Sequence, residues 1–491
     1  MKLLTITLSL CLGSIANAAL TVPARSAPIK IANATAPLFT DVKGHQRIMR
    51  GTNVVYKKSP YYPELDSAKA VPGTYNSFTQ DDINLLASMG INTIRLGALW
   101  IGGEPQRGQY NQTYIDQLSI IIQRCQDAGI YVLVDLHQDV YGPTVCGEGF
   151  PAWATQPYTS FLYPTIYSPL GGCDENNWSN NYNTQGVAAS FERLYTNYDG
   201  LADALGTYFR TLVHNFKNFD NILGYELINE PWAGDHHANP TIMIPGVADI
   251  QKLQPFYNRL APYIWNEDPT AMIFYEPVTW DQLNVGFSTP PGGWGKMHQT
   301  VLSTHYYSLK SHQGAQLFDL PKVTNAMFKF ATNLGSGHMM TEWQQWGTDA
   351  ASLSYQQSVA KLADDYLLSY HGWQYLEQAF RYQNGSANPA VVLPNSRPYV
   401  ASVAGHSMSM AYDDGLGTFW LTFTDGGWVQ DGVTEIRAPV FHYPKGLNVT
   451  INATGGSYKY DATNAGFVYI LRAGPVTSAS GAVVKVIITK L

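Results

Sequence analysis

The sequence predicts an α/β chain made of a (β/α)8 TIM barrel followed by a C-terminal antiparallel β-sandwich. Three observations point there. Between about residues 47 and 377, eight short apolar runs alternate with amphipathic, helix-like segments, the pattern of βα units on a parallel sheet. Beyond about residue 390 the helix-like segments stop, and short alternating runs broken by Gly, Asp and Asn take over. The length of 491 residues exceeds one average domain but fits a large barrel with a smaller partner.

The chain opens MKLLTITLSLCLGSIANAA, with one Lys, an apolar stretch from Leu3 to Gly13 and small residues at Ala16 and Ala18. That layout is a secretory signal over residues 1–18, and its apolar part is too short to span a bilayer. The expected destination is secreted or extracellular, with a lysosome or a digestive lumen as alternatives. Removing the signal removes Cys11 and leaves Cys125, Cys146 and Cys173. An oxidising compartment favours one disulfide, Cys146 with Cys173, while Cys125 falls in a helical pattern and reads as a buried thiol. Sequons at Asn33, Asn111, Asn177, Asn384, Asn448 and Asn452 fit a glycosylated protein.

The barrel is expected over residues 30–390, with strands at 47–55, 91–97, 130–137, 222–229, 272–277, 301–307, 338–343 and 372–377. Helices lie between them. In TQDDINLLASMG (79–90), Thr79 can cap the start and Gly90 can end the helix. Residues 138–200, after the third strand, form a long insertion rich in Tyr, Trp, Asn and Gly, read as loop structure at the active face. The sandwich takes residues 391–491.

A net charge of −7 without any Lys/Arg-rich run argues against a nucleic-acid partner. The many aromatic residues suit sugar stacking, but large cores use them too.

In such a barrel the chemistry sits where strands end at the C-terminal face. The polar residues there are Arg95, His137, Asp139, Asn229, Glu230, Glu276, His305, Tyr306, Glu342 and Trp373. Glycoside cleavage needs two carboxyls across the bond, one to protonate the departing oxygen and one to attack the anomeric carbon. Glu230 and Glu342 end strands four and seven, so they can face each other across the barrel mouth. A separation of about 5–5.5 Å would make the reaction retaining. A rim salt bridge is the ordinary alternative for a lone Glu, but these neighbours favour chemistry. Asn229 can bond a sugar hydroxyl and Pro231 ends the strand. Tyr306 can donate to the nucleophile, and Arg95 can keep it ionised. Glu226, deeper in its strand, is expected to pair with a buried cation, and Glu276 to support the site.

The ordered set Arg95, His137, Asn229-Glu230-Pro231, His305-Tyr306, Glu342 and Trp373 resembles the strand endings of family 5 retaining glycoside hydrolases of clan A. A narrower set, NVVYKKSPYYP (53–63), DLHQDVYG (135–142), GYELINEPWAG (224–234), IFYEPVTW (273–280), RPYVASVAG (397–405) and HYP (442–444), resembles the endoglycoceramidases across both domains. The resemblance implies hydrolysis of the β-glycosidic bond joining the intact oligosaccharide to ceramide in glycosphingolipids. It implies Glu230 as acid/base and Glu342 as nucleophile, with Lys57, His137, Asp139, Asn229, Tyr306 and Trp373 lining the site of the glucose next to ceramide.

No cofactor or metal is called for by this chemistry, and no His/Cys cluster has ligand spacing. The expected partner is a ganglioside or neutral glycolipid, met by transient contact with a membrane or micelle, and the protein is expected to be a monomer. Ceramide needs apolar surface, for which THYYSLKSHQGAQLFDLPKV (304–323) and IMIPGVADI (242–250) are candidates; the second fits helix core equally well. Two rival functions remain: a β-glucosidase acting on glucosylceramide or steryl glucosides, or a plain β-glucanase, and a catalytically silent carbohydrate or lipid carrier on the same scaffold.

Overall fold

A computed structural model of the chain describes residues 28–70, 76–155, 173–174, 176–280, 283–307, 320–345, 347–429, 431–477 and 481–491. The signal segment lies outside these residues, as does most of 304–323.

The eight barrel strands are Arg50–Val54, Thr93–Gly97, Tyr131–Asp135, Ile222–Glu226, Ile273–Tyr275, Thr300–Tyr306, Gly337–Trp343 and Ser369–Gly372, and they close into a ring in chain order. All neighbours are parallel, and Tyr370 opposite Arg50 completes the closure. The second, third, sixth and seventh strands are buried along their whole length. That burial on both faces is why they read as continuous apolar runs rather than as alternating ones. The helix after the first strand shows how the sequence sets its limits. It runs Gln80–Ser88, and the Asp82 carboxylate accepts from both the Thr79 N–H (2.6 Å) and the Thr79 hydroxyl (2.8 Å). Gly90, at φ +84°, turns the chain out of the helix at little steric cost.

Three differences from the sequence expectation bear on the site and the domains. The eighth strand lies at 369–372 rather than 372–377, so Trp373 stands just past its end. The insertion is not all loop, because Gln185–Tyr195 is helical and buries Val187, Phe191 and Leu194 in the barrel's main core. The third difference concerns residue 30 as the start of the barrel. Ile31–Thr35, Leu38–Asp41 and Gln46–Arg47 instead join Tyr399–Val403, Val433–Arg437, Phe467–Arg472 and Tyr458–Asp461 in one antiparallel sheet. The sandwich is thus built from both ends of the chain. Its second sheet orders His406–Asp413, Thr418–Asp425, Ala482–Lys490 and Leu447–Thr454. Strand alternation sends Val484, Val486 and Ile488 inward against Ile436, Val468 and Ile470.

The N-terminal hairpin also floors the barrel. Ile31, Ala34 and Phe39 pack with Leu133, Leu223, Phe274, Val301 and Met339, and Phe39 stacks on Phe274 at 6.1 Å between ring centroids. The opposite end of the ring stays free for the site. Among the described residues, no helix is long and apolar enough to cross a membrane.

Candidate active site

Arg95 organises the barrel mouth. It points inward from the second strand with no exposed surface, so its charge must be paired where it lies. Nη1 donates to Glu342 Oε1 at 2.7 Å and to Asn53 Oδ1 at 3.0 Å. Nη2 donates to Asn229 Oδ1 at 2.8 Å and pairs with Asp135 Oδ1 at 3.0 Å. Nε donates to Glu226, so the deeper glutamate of the fourth strand has a buried cation as its partner. Burial pushes the Glu226 carboxyl up to about 7, against the pull of Arg95.

Glu342, at the end of the seventh strand, is fixed from two sides. Besides Arg95, the Tyr307 hydroxyl donates to its Oε2 at 2.6 Å. Two charge-assisted donors, one on each oxygen, hold the carboxylate in place. The expected donor, Tyr306, is not at this position. Residues on a strand alternate sides; His305 faces the ring interior, so Tyr306 faces out and stacks on Tyr355 at 6.4 Å. Tyr307, one step beyond, returns to the inside.

Glu230 lies beyond the last residue of the fourth strand, at φ +42°. A non-glycine residue holds that conformation only when its surroundings enforce it. Here Gln138 Nε2 donates to the carbonyls of Asn229 (2.7 Å) and Glu230 (3.2 Å). Asn229 answers by donating Nδ2 to the Gln138 carbonyl at 2.9 Å. The Glu230 side chain keeps 19% of its surface exposed, and its Oε1 is 2.9 Å from His305 Nδ1. Burial, and next the charge of Asp139, push its pKa up to about 7, with Lys57 and His137 opposing. One carboxylate oxygen of Glu230 and one of Glu342 lie within 4.8 Å of each other. So near an approach of oxygens fits the ~5–5.5 Å carboxyl spacing of retaining sites. With His305 the two carboxylates are also the one group among the described residues whose donor atoms could meet around a cation.

A second cluster walls the mouth. Lys57 pairs with Asp139 and, at 3.2 Å, with Glu148, and its ammonium sits 5.0 Å from the Trp373 ring centroid. Trp373 stacks on His137 at 5.2 Å. His137 is held between Asp135 (2.7 Å) and Asp139 (3.4 Å). Burial alone would lower its pKa, but the Asp135 charge and the hydrogen bonds the ring donates to both carboxylates raise it to about 9. Burial likewise opposes the charged Lys57 and Asp139, yet their pairing raises the first and lowers the second. A partly exposed indole beside a cation and two carboxylates offers a sugar one stacking face and several hydroxyl partners.

Of the residues expected from sequence, Lys57, Arg95, His137, Asp139, Asn229, Glu230, Glu342 and Trp373 meet at this mouth; Tyr306 does not. Tyr307, Asp135, Gln138 and Glu148 were missed. Counting strand parity from His305 would have found Tyr307. Cys146 and Cys173 are joined, tying the loop of Asp139 and Glu148 to the later part of the insertion. Cys125 is a buried free thiol. In 242–250, Ile242 and Ala248 are core, whereas Ile244 and Ile250 are exposed.

The family model described as Cellulase (glycosyl hydrolase family 5) matches residues 58–378, and the glycoside hydrolase family 5 C-terminal domain matches residues 397–488. An endoglycoceramidase of Hydra vulgaris is 35% identical over 441 residues, covering 84% of this chain and 82% of the relative. One of Cyanea nozakii is 33% identical over 448 residues, with 84% and 85% covered. The solved endo-glycoceramidase II of a Rhodococcus species superimposes with a TM-score of 0.71 at 22% identity, covering 93% of this chain and 100% of that one.

Proposed function

Because this chain belongs to glycosyl hydrolase family 5, we propose that it is a retaining endo-β-glycosidase that releases the intact oligosaccharide of glycosphingolipids from ceramide. The observation that carries the mechanism is the pairing of Glu230 and Glu342 oxygens within 4.8 Å, one carboxyl partly exposed and the other clamped by Arg95 and Tyr307. Similarity to endoglycoceramidases over most of both chains supports the substrate class.

In the first step a Glu342 oxygen forms a bond to the anomeric carbon as the bond to the ceramide oxygen breaks. That oxygen leaves with the proton of Glu230, so ceramide departs as an alcohol. In the second step Glu230, now a carboxylate, takes a proton from water. The water oxygen bonds the anomeric carbon and Glu342 is released. Trp373, His137, Lys57 and Asp139 hold the glucose at the cleavage point. The exposed Ile244 and Ile250, in the segment that runs from the acid/base into the next barrel helix, give ceramide an apolar landing at a membrane or micelle surface. The Cys146–Cys173 disulfide supports an oxidising, extracytoplasmic setting, in line with the N-terminal signal.

The test is product analysis with a ganglioside, lactosylceramide and glucosylceramide. Intact oligosaccharide is expected from the first two, and release of glucose from glucosylceramide alone would overturn the endo assignment in favour of a β-glucosidase. Glu342→Gln should lower turnover at least about 10³-fold while binding persists; full activity in it would remove Glu342 as nucleophile.

A further inference from the structure

His305 is 2% exposed and sits among three carboxyls. Its Nδ1 is 2.9 Å from Glu230 Oε1 and 3.5 Å from Glu342 Oε2, and its Nε2 is 3.3 Å from Glu276 Oε1. Burial, against the charge of Glu342, lowers its pKa to about 4, so the ring is neutral and carries one proton on two nitrogens. Where that proton sits decides what happens to Glu230. On Nε2, it would leave the Nδ1 lone pair facing two carboxyls, and the proton on Glu230 would be drawn to fill it. The acid would then point away from the leaving group. On Nδ1, it donates to Glu230 Oε1 and leaves the other Glu230 oxygen free to hold the catalytic proton. Nε2 then needs a donor, and the atom across from it is Glu276 Oε1.

Resting on the assignment of Glu230 as acid/base, we propose that Glu276 is a positioning residue that stands as a neutral carboxylic acid, donates its proton to His305 Nε2, and thereby fixes the Nδ1–H tautomer that orients Glu230. The surroundings of Glu276 favour the neutral form. It is 1% exposed, and among the described residues its Oε1 accepts no hydrogen bond, a costly state for an ionised oxygen. The charged and titratable groups facing it are Glu226 from the fourth strand and Glu230 just beyond it, Arg95 from the second, His305 from the sixth, Glu342 from the seventh, and Tyr257 from the helix Gln254–Trp265, whose hydroxyl donates to the Glu276 backbone carbonyl at 2.8 Å. The one fixed cation among them, Arg95, is 3.6 Å away and already bonded to Glu342, Glu226 and Asn229. Burial and the neighbouring carboxylates both hold the proton on. A neutral acid kept as a hydrogen-bond donor in an apolar site is an established device of enzyme chemistry.

Glu276→Leu and Glu276→Gln separate this role from packing. The readout is kcat/KM, which reports the first step, on lactosylceramide and on aryl β-lactosides. Phenyl lactoside needs a general acid, whereas 2,4-dinitrophenyl lactoside has a leaving group that departs without one. Glu276→Leu is expected to lose about 10–100-fold on lactosylceramide and phenyl lactoside but under about threefold on the dinitrophenyl substrate. Glu276→Gln, whose amide N–H can donate to Nε2, should recover most of the loss. Equal losses on both aryl substrates, no loss on either, or a Gln variant as impaired as the Leu variant would each overturn the proposal. If the variants do not fold, 15N-histidine NMR of the wild-type protein still decides it: an Nδ1–H tautomer at His305 is expected, and Nε2–H overturns it. Wild-type protein that cleaves aryl lactosides but no glycolipid would instead overturn the glycolipid function and leave this test intact. Absence of any leaving-group dependence in Glu230→Gln would overturn the acid/base assignment, and with it the proposal.

Discussion

Glu230 must hold a proton in one half of the reaction and lack it in the other, so its pKa has to lie near the working pH. Burial and Asp139 raise it to about 7. Activity that needs the protonated acid is complete below that value and falls as pH rises through it, so kcat/KM should show a descending alkaline limb centred near pH 7. Asp139→Asn removes an anion that disfavours ionised Glu230, so that limb should move to lower pH; a limb that stays in place would show that Asp139 does not set it. Glu342 has the opposite requirement. Tyr307→Phe deletes a 2.6 Å bond to its carboxylate, and a hydrogen bond to a charged group is worth about 1.5–3 kcal/mol, so kcat/KM should fall about 10- to 100-fold. Tyr306→Phe should change it under about threefold. The pair of tyrosines marks what was legible at this scale. Both glutamates, Arg95 and Trp373 were readable because each sits at a strand end carrying its chemistry in its residue type, whereas Lys57 came only from the resemblance. Tyr306 was wrong by one position, because a pattern of residue types does not by itself carry the parity of a strand. Asp135 and Gln138 were hidden among the strand and loop residues between which they act.

At the level of elements, the insertion after the third strand is held to the barrel at its described ends. The bond between Cys146 and Cys173 spans a sequence separation of 27 residues. By chain entropy, a closed loop of that size stabilises the fold by about 3.5 kcal/mol. Its near end is the segment in which Asp139 and Glu148 exchange backbone hydrogen bonds at 3.0 and 2.8 Å. Both side chains hold Lys57, so breaking the disulfide should loosen the sugar wall more than the carboxyl pair. The double change Cys146→Ser/Cys173→Ser is therefore expected to lower stability by about 2–5 kcal/mol in urea unfolding and to raise KM more than it lowers kcat. A loss confined to kcat would place the disulfide's influence on the glutamates instead. Most of the barrel strands were visible as elements because they carry largely apolar residues buried on both faces. The limits of the last one were not. Ser369–Gly372 includes Tyr370 and His371, residues that do not extend an apolar pattern, so the run seemed to begin only at Gly372.

For the whole molecule, barrel and sandwich share structure rather than lying side by side. Residues 31–47 were invisible as part of the sandwich because their partners, near Tyr399 and beyond, are some 350 residues away, and no local pattern encodes that pairing. The hairpin plugs the barrel floor with Phe39 while its sheet runs on into the C-terminal strands. Asp364, at the end of the helix Ala350–Asp365, closes a second link. Its Oδ1 accepts from Arg50 at the start of the first barrel strand (3.0 Å), and its Oδ2 from Arg397 at the entry to the sandwich (3.2 Å). Tyr399 adds a hydrogen bond from its hydroxyl to the Gly90 carbonyl at 2.8 Å. Burial pushes the Asp364 carboxyl up while the two guanidinium groups pull it down. Asp364→Asn leaves both arginines buried beside a neutral amide, and breaking a buried pair by removing one partner costs about 3–5 kcal/mol. Because the two domains share the hairpin and the clamp, the loss should move one cooperative urea transition to lower denaturant with its slope kept. The result that would sink this is a biphasic curve in the wild-type protein, with the sandwich melting first; the two ends of the chain would then be packed together without depending on each other.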